Sequence, residues 1–107
     1  MKFWRRMWFT PSVESDKARI CRLLKAGKPV KQVFLVTLSE APGRLIDIYP
    51  SSILKYRFYR RSKEIVIGVA GDKAEAEELA CSIIVSAYNT SGNFDIGAAI
   101  GITPGKA

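Results

Sequence analysis

A single α+β domain, built on a small mixed or mainly antiparallel sheet, is the fold class this sequence predicts. Three observations carry it. The run Ile65-Val66-Ile67-Gly68-Val69-Ala70, bounded by Glu64 and Gly71, is short and β-branched and reads as a buried strand near 64–70. Ala76, Leu79, Ala80, Ile83, Ile84, Ala87 and Tyr88 then recur at the spacing of one helical face, which predicts the main helix near 72–89. Two further apolar runs, near 31–39 and 44–49, flank Pro42-Gly43, the central pair of a type II turn, and so predict a hairpin. With 107 residues there is room for one domain, and 48% apolar with 25% charged residues is a globular balance.

The main helix carries its own punctuation. Asp72 offers a capping oxygen, Glu75, Glu77 and Glu78 crowd the positive end of the helix dipole, and Gly92 stands where the helix should stop. An N-terminal helix is predicted near 11–26, entered through Thr10-Pro11 and ended by Gly27. Its apolar arc is Val13, Ile20, Leu23 and Leu24, and Arg19, Arg22 and Lys25 occupy the opposite side. In front of it, residues 1–9 form an aromatic and basic arm. Read as a helix, the arm stacks Phe3 on Met7 and Trp4 on Trp8, with Phe9 closing the run.

Residues 10–100 make the α+β domain and 101–107 read as a flexible tail. Two stretches are further strand candidates. In 53–60, Leu54, Tyr56 and Phe58 alternate with Lys55, Arg57 and Tyr59, which leans to strand, although Pro50-Ser51-Ser52 also opens a helix well. In 93–99, Phe94, Ile96 and Ala98 alternate, diluted by small residues.

Between Phe34 and Gly92 the chain carries Ile46-Asp47-Ile48 followed by Ser51-Ser52, Tyr59-Arg60, Ile67-Gly68-Val69-Ala70, and Glu75-Ala76 with Leu79, Ile84, Tyr88 and Gly92. In these features it resembles a group of short uncharacterised proteins of anaerobic Gram-positive bacteria. The resemblance implies no activity. It does imply a more helical course across 51–60 than the alternation there suggests.

Charge is the unusual total, with 17 basic against 10 acidic residues and a net charge of +7. Residues 1–31 sum to +7, residues 32–63 to +4 and residues 64–107 to −4. Such a split favours an anionic partner or an electrostatic contact between the two halves. Catalysis has little to stand on. No histidine is present, and no second carboxylate is identifiable beside Asp47, which reads as a solvent-facing strand position. Cys21 and Cys81 lie 60 positions apart without a C-x-x-C motif, so they read as reduced, buried thiols and no structural zinc is expected. Gly68-x-x-Gly71 lacks the lysine and hydroxyl of a phosphate-binding loop, and close strand–helix packing explains it better. No cofactor is expected.

No apolar run approaches the roughly 20 residues of a membrane-spanning helix. Met7-Trp8-Phe9 is also too short for a secretory core of roughly 7–15 residues, so a cytoplasmic location is the expectation. Two functions suit these residues. The first is a protein-interaction or oligomerising module, acting through Phe3, Trp4, Met7, Trp8 and Phe9 and an exposed sheet edge. The second is nucleic-acid binding by the basic and aromatic segment 55–63. There Arg57, Arg60, Arg61 and Lys63, joined by Arg19, Arg22 and Lys25, would meet phosphates while Tyr59 stacks on a base.

Overall fold

The computed structural model describes residues 1–39, 45–92 and Ile96. The chain runs β1 (Lys2–Phe9), α1 (Pro11–Glu14), α2 (Lys17–Lys25), β2 (Phe34–Leu38), β3 (Ile46–Pro50), a 3₁₀ turn (Ser51–Lys55), α3 (Arg57–Arg60), β4 (Ile65–Ala70) and α4 (Lys73–Ser91). The strands form one mixed sheet in the order β1-β4-β2-β3. β1 lies parallel to β4, and β2 runs antiparallel to both β4 and β3. The α+β class with a mixed sheet is therefore the fold of the protein.

Helices cover both faces of the sheet, because the strands carry apolar residues on both. On one face Val13, Ile20 and Leu24 pack with Leu35, Leu54, Val66 and Val69. On the other Ala76, Ala80, Ile83 and Ala87 of α4 pack with Val36, Ile67 and Ala70. Each large side chain buried this way contributes roughly 1.5–3 kcal/mol before ordering costs. β4 alternates between the two cores, as a strand must, except at one bulge. Val36 pairs with Gly68 and Thr37 with Val66, which leaves Ile67 as an extra residue. There a Cβ on Gly68 would come within 2.7 Å of Leu79 Cδ2, so the missing side chain lets α4 lie close. Gly71 is tighter still, since a Cβ would meet Ser12 Oγ at 1.9 Å.

The caps of α4 form as the sequence predicts. Asp72 Oδ1 accepts from the Glu75 amide at 2.7 Å, and Gly92 closes the helix at φ +74°. The buried stripe is narrower than periodicity suggests, because Ile84 is half-buried and Tyr88 is 47% exposed.

Several expectations are corrected. Residues 2–9 form a strand rather than a helix. Phe3, Met7 and Phe9 reach the α2-side core and Trp4 the α4-side core, an alternation that a helix of this length cannot provide. The helix expected at 11–26 is two helices, parted at Ser15-Asp16, where residues that favour caps over helix interiors interrupt the ladder. The strand considered at 53–60 is the 3₁₀ turn and α3. Leu54 alone is buried there, while Tyr56 and Phe58 are 62% and 79% exposed instead of facing the core. Asp47 is buried, not solvent-facing. Cys81 is exposed and Cys21 half-buried, so neither is the buried thiol expected, and they stand on helices at opposite faces of the sheet. The Pro42-Gly43 turn and the 101–107 tail lie outside the described residues. Of the strand expected at 93–99 only Ile96 is described, and it is buried and helical rather than extended.

Candidate functional site

Two surfaces gather the residues that the sequence singles out. The first is an open cleft of about 690 Å³ formed where α3 and the segment leading into β4 fold over the end of β3. Arg57, Tyr59, Arg61 and Lys63 line it, together with Phe58, Tyr49 and Glu64. Its aromatic wall is continuous. Tyr49 and Tyr59 have ring centroids 5.7 Å apart, and Phe58 meets Tyr59 edge-on at 5.2 Å. Tyr59 is half-buried against these neighbours, whereas Phe58 projects almost wholly into solvent.

Beneath the wall sits a buried polar cluster. The Tyr49 hydroxyl donates to Glu64 Oε1 at 3.1 Å and more weakly to Asp47 Oδ2 at 3.4 Å. Thr37 Oγ1 donates to the Asp47 carbonyl at 3.1 Å. Burial, reinforced by the neighbouring Glu64 and Asp47 charges, pushes the Tyr49 phenol well above its ordinary range, so it remains a hydrogen-bond donor. The cleft thus has an acidic, hydroxyl-bearing floor and a basic rim. Among the described residues no carboxylate pairs with Arg57, Arg61 or Lys63.

The other four basic candidates are elsewhere. Arg60 turns away from the cleft, and its Nη1 donates to the carbonyls of Leu54 at 2.7 Å and Lys55 at 3.1 Å. The Met1 ammonium adds bonds to the Tyr59 and Arg60 carbonyls. Arg60 therefore fastens the 3₁₀ turn to α3. Lys25 lies beside it in a smaller cleft with Met1, Phe3 and Leu54. Arg19 is taken up by Asp16, whose carboxyl it holds below the ordinary range by hydrogen bond and charge. Arg22 is exposed on α2. Sequence reasoning missed Tyr49 and Glu64. No spacing links them to the basic run, because three elements must meet before they face it.

The second surface is the outer edge of β1. No described strand pairs with it, and a groove of about 530 Å³ runs between it and α2. Met7, Trp8, Phe9, Ala18 and Cys21 give the groove its apolar lining, and Arg5, Lys17 and Glu14 its polar one. Lys17 and Glu14 pair at 3.1 Å. Of the five aromatic-arm candidates, Phe3, Trp4, Met7 and Phe9 pack into the domain. Trp8 stays 37% exposed, its ring 5.3 Å from that of Trp4. The middle of β1 is irregular, since the pairing steps from Phe3↔Val66 to Trp8↔Gly68 and leaves Arg5 and Arg6 exposed.

Among the described residues no group of three or more Cys, His, Asp or Glu is placed to hold a metal ion. No described helix is long and apolar enough to cross a membrane. Comparison with protein-family models, with curated proteins and with solved structures found no match to the chain.

Proposed function

We propose that the protein is a docking module for another protein, with the edge of β1 and the groove beside α2 accepting an extended, acidic segment of the partner. The observation that carries this reading is that the aromatic arm and the open sheet edge are one element, with an apolar groove alongside. Strand addition at an edge uses main-chain hydrogen bonds for affinity and a neighbouring groove for side-chain selection. The regularly paired Trp8 and Phe9 offer the backbone, and Trp8 an aromatic contact that is already partly held by Trp4.

Charge selects the occupant. A second copy pairing β1 against β1 would bring Arg5 and Arg6 against the same residues of its mate, and like charges facing across strands destabilise the pair. The exposed arginines and the bulge therefore discourage self-association at this edge and favour an acid-bearing strand. This is a binding role rather than a catalytic one. The two free thiols fit a reducing, cytoplasmic setting.

Amide spectra of the full chain, titrated with a peptide of alternating glutamate and valine, test the proposal. Saturable shifts at Arg5–Phe9, Ala18 and Cys21 are expected, absent for the lysine counterpart and weakened a few-fold by Arg5→Glu. Sedimentation of the chain alone should give a monomer. Shifts confined to α4, or none that saturate, would overturn the reading.

A further inference from the structure

The basic and aromatic cleft shares no lining residue with that docking surface, and its chemistry points to a different ligand. We infer that the cleft is a binding site for single-stranded nucleic acid, in which Phe58 stacks on a base while Arg57, Arg61 and Lys63 hold the flanking phosphates.

Four features lead there. First, the three rim cations are exposed and have no carboxylate partner among the described residues, so their charge is available to a polyanion. Second, Phe58 is 79% exposed although apolar, and its ring meets that of Tyr59 edge-on, 90° between rings. An exposed aromatic side chain, positioned by an edge contact, presents a face to which any base can add. Third, the cations and the ring share one cleft, whose size of about 690 Å³ lies within the range of small-ligand sites and admits a base with its sugar. Fourth, Glu64 and Asp47 lie beneath Tyr49, so phosphate is repelled from the floor and attracted to the rim. That arrangement orients a strand with its backbone outward and a base inward. A plain polyanion gains nothing from it.

A duplex fits poorly. Its bases are already stacked on one another and cannot meet Phe58 without being unpaired. α3 has four residues, too few to serve as a recognition helix in a major groove. Single strands are the favoured class, read without sequence preference, since stacking accepts every base.

Fluorescence anisotropy of a labelled oligothymidine of about fifteen nucleotides, titrated with the full chain, tests the site. Three phosphate contacts on a single strand predict a slope of log affinity on log salt of about −2, roughly a 20-fold loss between about 50 and 200 mM salt. Arg61→Glu and Lys63→Glu should each flatten that slope by nearly one contact. Phe58→Ala should weaken binding about 5- to 150-fold, the range for loss of one stacked base. It should leave the melting temperature and the competition by inorganic polyphosphate unchanged. Equal loss against polyphosphate would mean that Phe58 supports the rim rather than stacking on a base, and would overturn the inference. A dissociation constant weaker than about 10⁻⁴ M at low salt, tighter binding of duplex, or preference for vesicles of acidic phospholipid would equally overturn the inference.

Discussion

Arg60 and Arg61 are neighbours with opposite tasks. The Arg60 guanidinium donates to two main-chain carbonyls and lies against Gly27, where a Cβ would sit 2.9 Å from Arg60 Cδ. Gly27 itself has φ +77°, so a side chain there is strained twice over. Arg61 faces the cleft and makes no such side-chain bond among the described residues. Arg60→Ala should therefore cost about 1–2 kcal/mol, since it strips partners from carbonyls that depend on a charged donor. Arg61→Ala should stay within about 0.5 kcal/mol of the parent. Denaturant melts of the two variants separate these roles, and equal losses would contradict them.

Tyr49 gives the same scale a pH signature. Its phenol is raised above the ordinary 10.0 by burial first and by Glu64 and Asp47 second. The unfolded chain therefore loses this proton before the folded one does. The Tyr49 contribution is complete below about pH 10 and is lost progressively as pH rises beyond it. Tyr49→Phe should destabilise the protein by about 1–3 kcal/mol at neutral pH, because Glu64 loses a donor. The same variant should show a shallower fall in melting temperature above about pH 10 than the parent. Parallel alkaline curves for the two proteins would exclude this role.

At the scale of elements, β1 is the part whose standing changes most. As an arm it would be dispensable to folding. As a strand it covers the free edge of β4 and supplies Phe3, Met7 and Phe9 to the α2-side core. Removing residues 1–9 should expose that edge and those contacts together and leave a chain without a cooperative thermal transition. A truncated chain with the parental melting temperature would restore the arm. α4 behaves oppositely. Its alanines at 76, 80 and 87 allow a close approach to the sheet, and its end signals are all local.

For the molecule as a whole, the two proposed surfaces share no lining residue, although the start of β1 borders the cleft, where Met1 and Lys2 donate to the carbonyls of Tyr59, Arg60 and Glu64. The groove lies along β1, and the cleft stands over the end of β3. The ligands need not compete for one site. The basic excess of residues 1–63 is shared between them, while Glu77 and Glu78 keep the outer side of α4 acidic. A strand of nucleic acid bound as inferred would be directed away from α4.

The sequence by itself determined whatever is written over a few neighbouring positions. This includes the 65–70 strand, α4 with its Asp72 cap and Gly92 stop, the entry at Thr10-Pro11, the stop at Gly27, and the close packing at Gly68 and Gly71. Caps, positive φ angles and hydrophobic periods are local quantities, and they were legible. Tertiary structure alone decided that β1 is a parallel edge strand, because three helices, a 3₁₀ turn and two other strands separate it in sequence from its partner. It decided that Arg57 and Arg61 face the cleft while Arg60 turns away, because α3 is anchored through Leu54 and the Leu54 and Lys55 carbonyls. It also set Tyr49 and Glu64 under the basic rim. The alternation of aromatic and basic residues leans to strand in isolation, and long-range burial of Leu54 and carbonyl pairing by Arg60, which no local spacing encodes, overrode it.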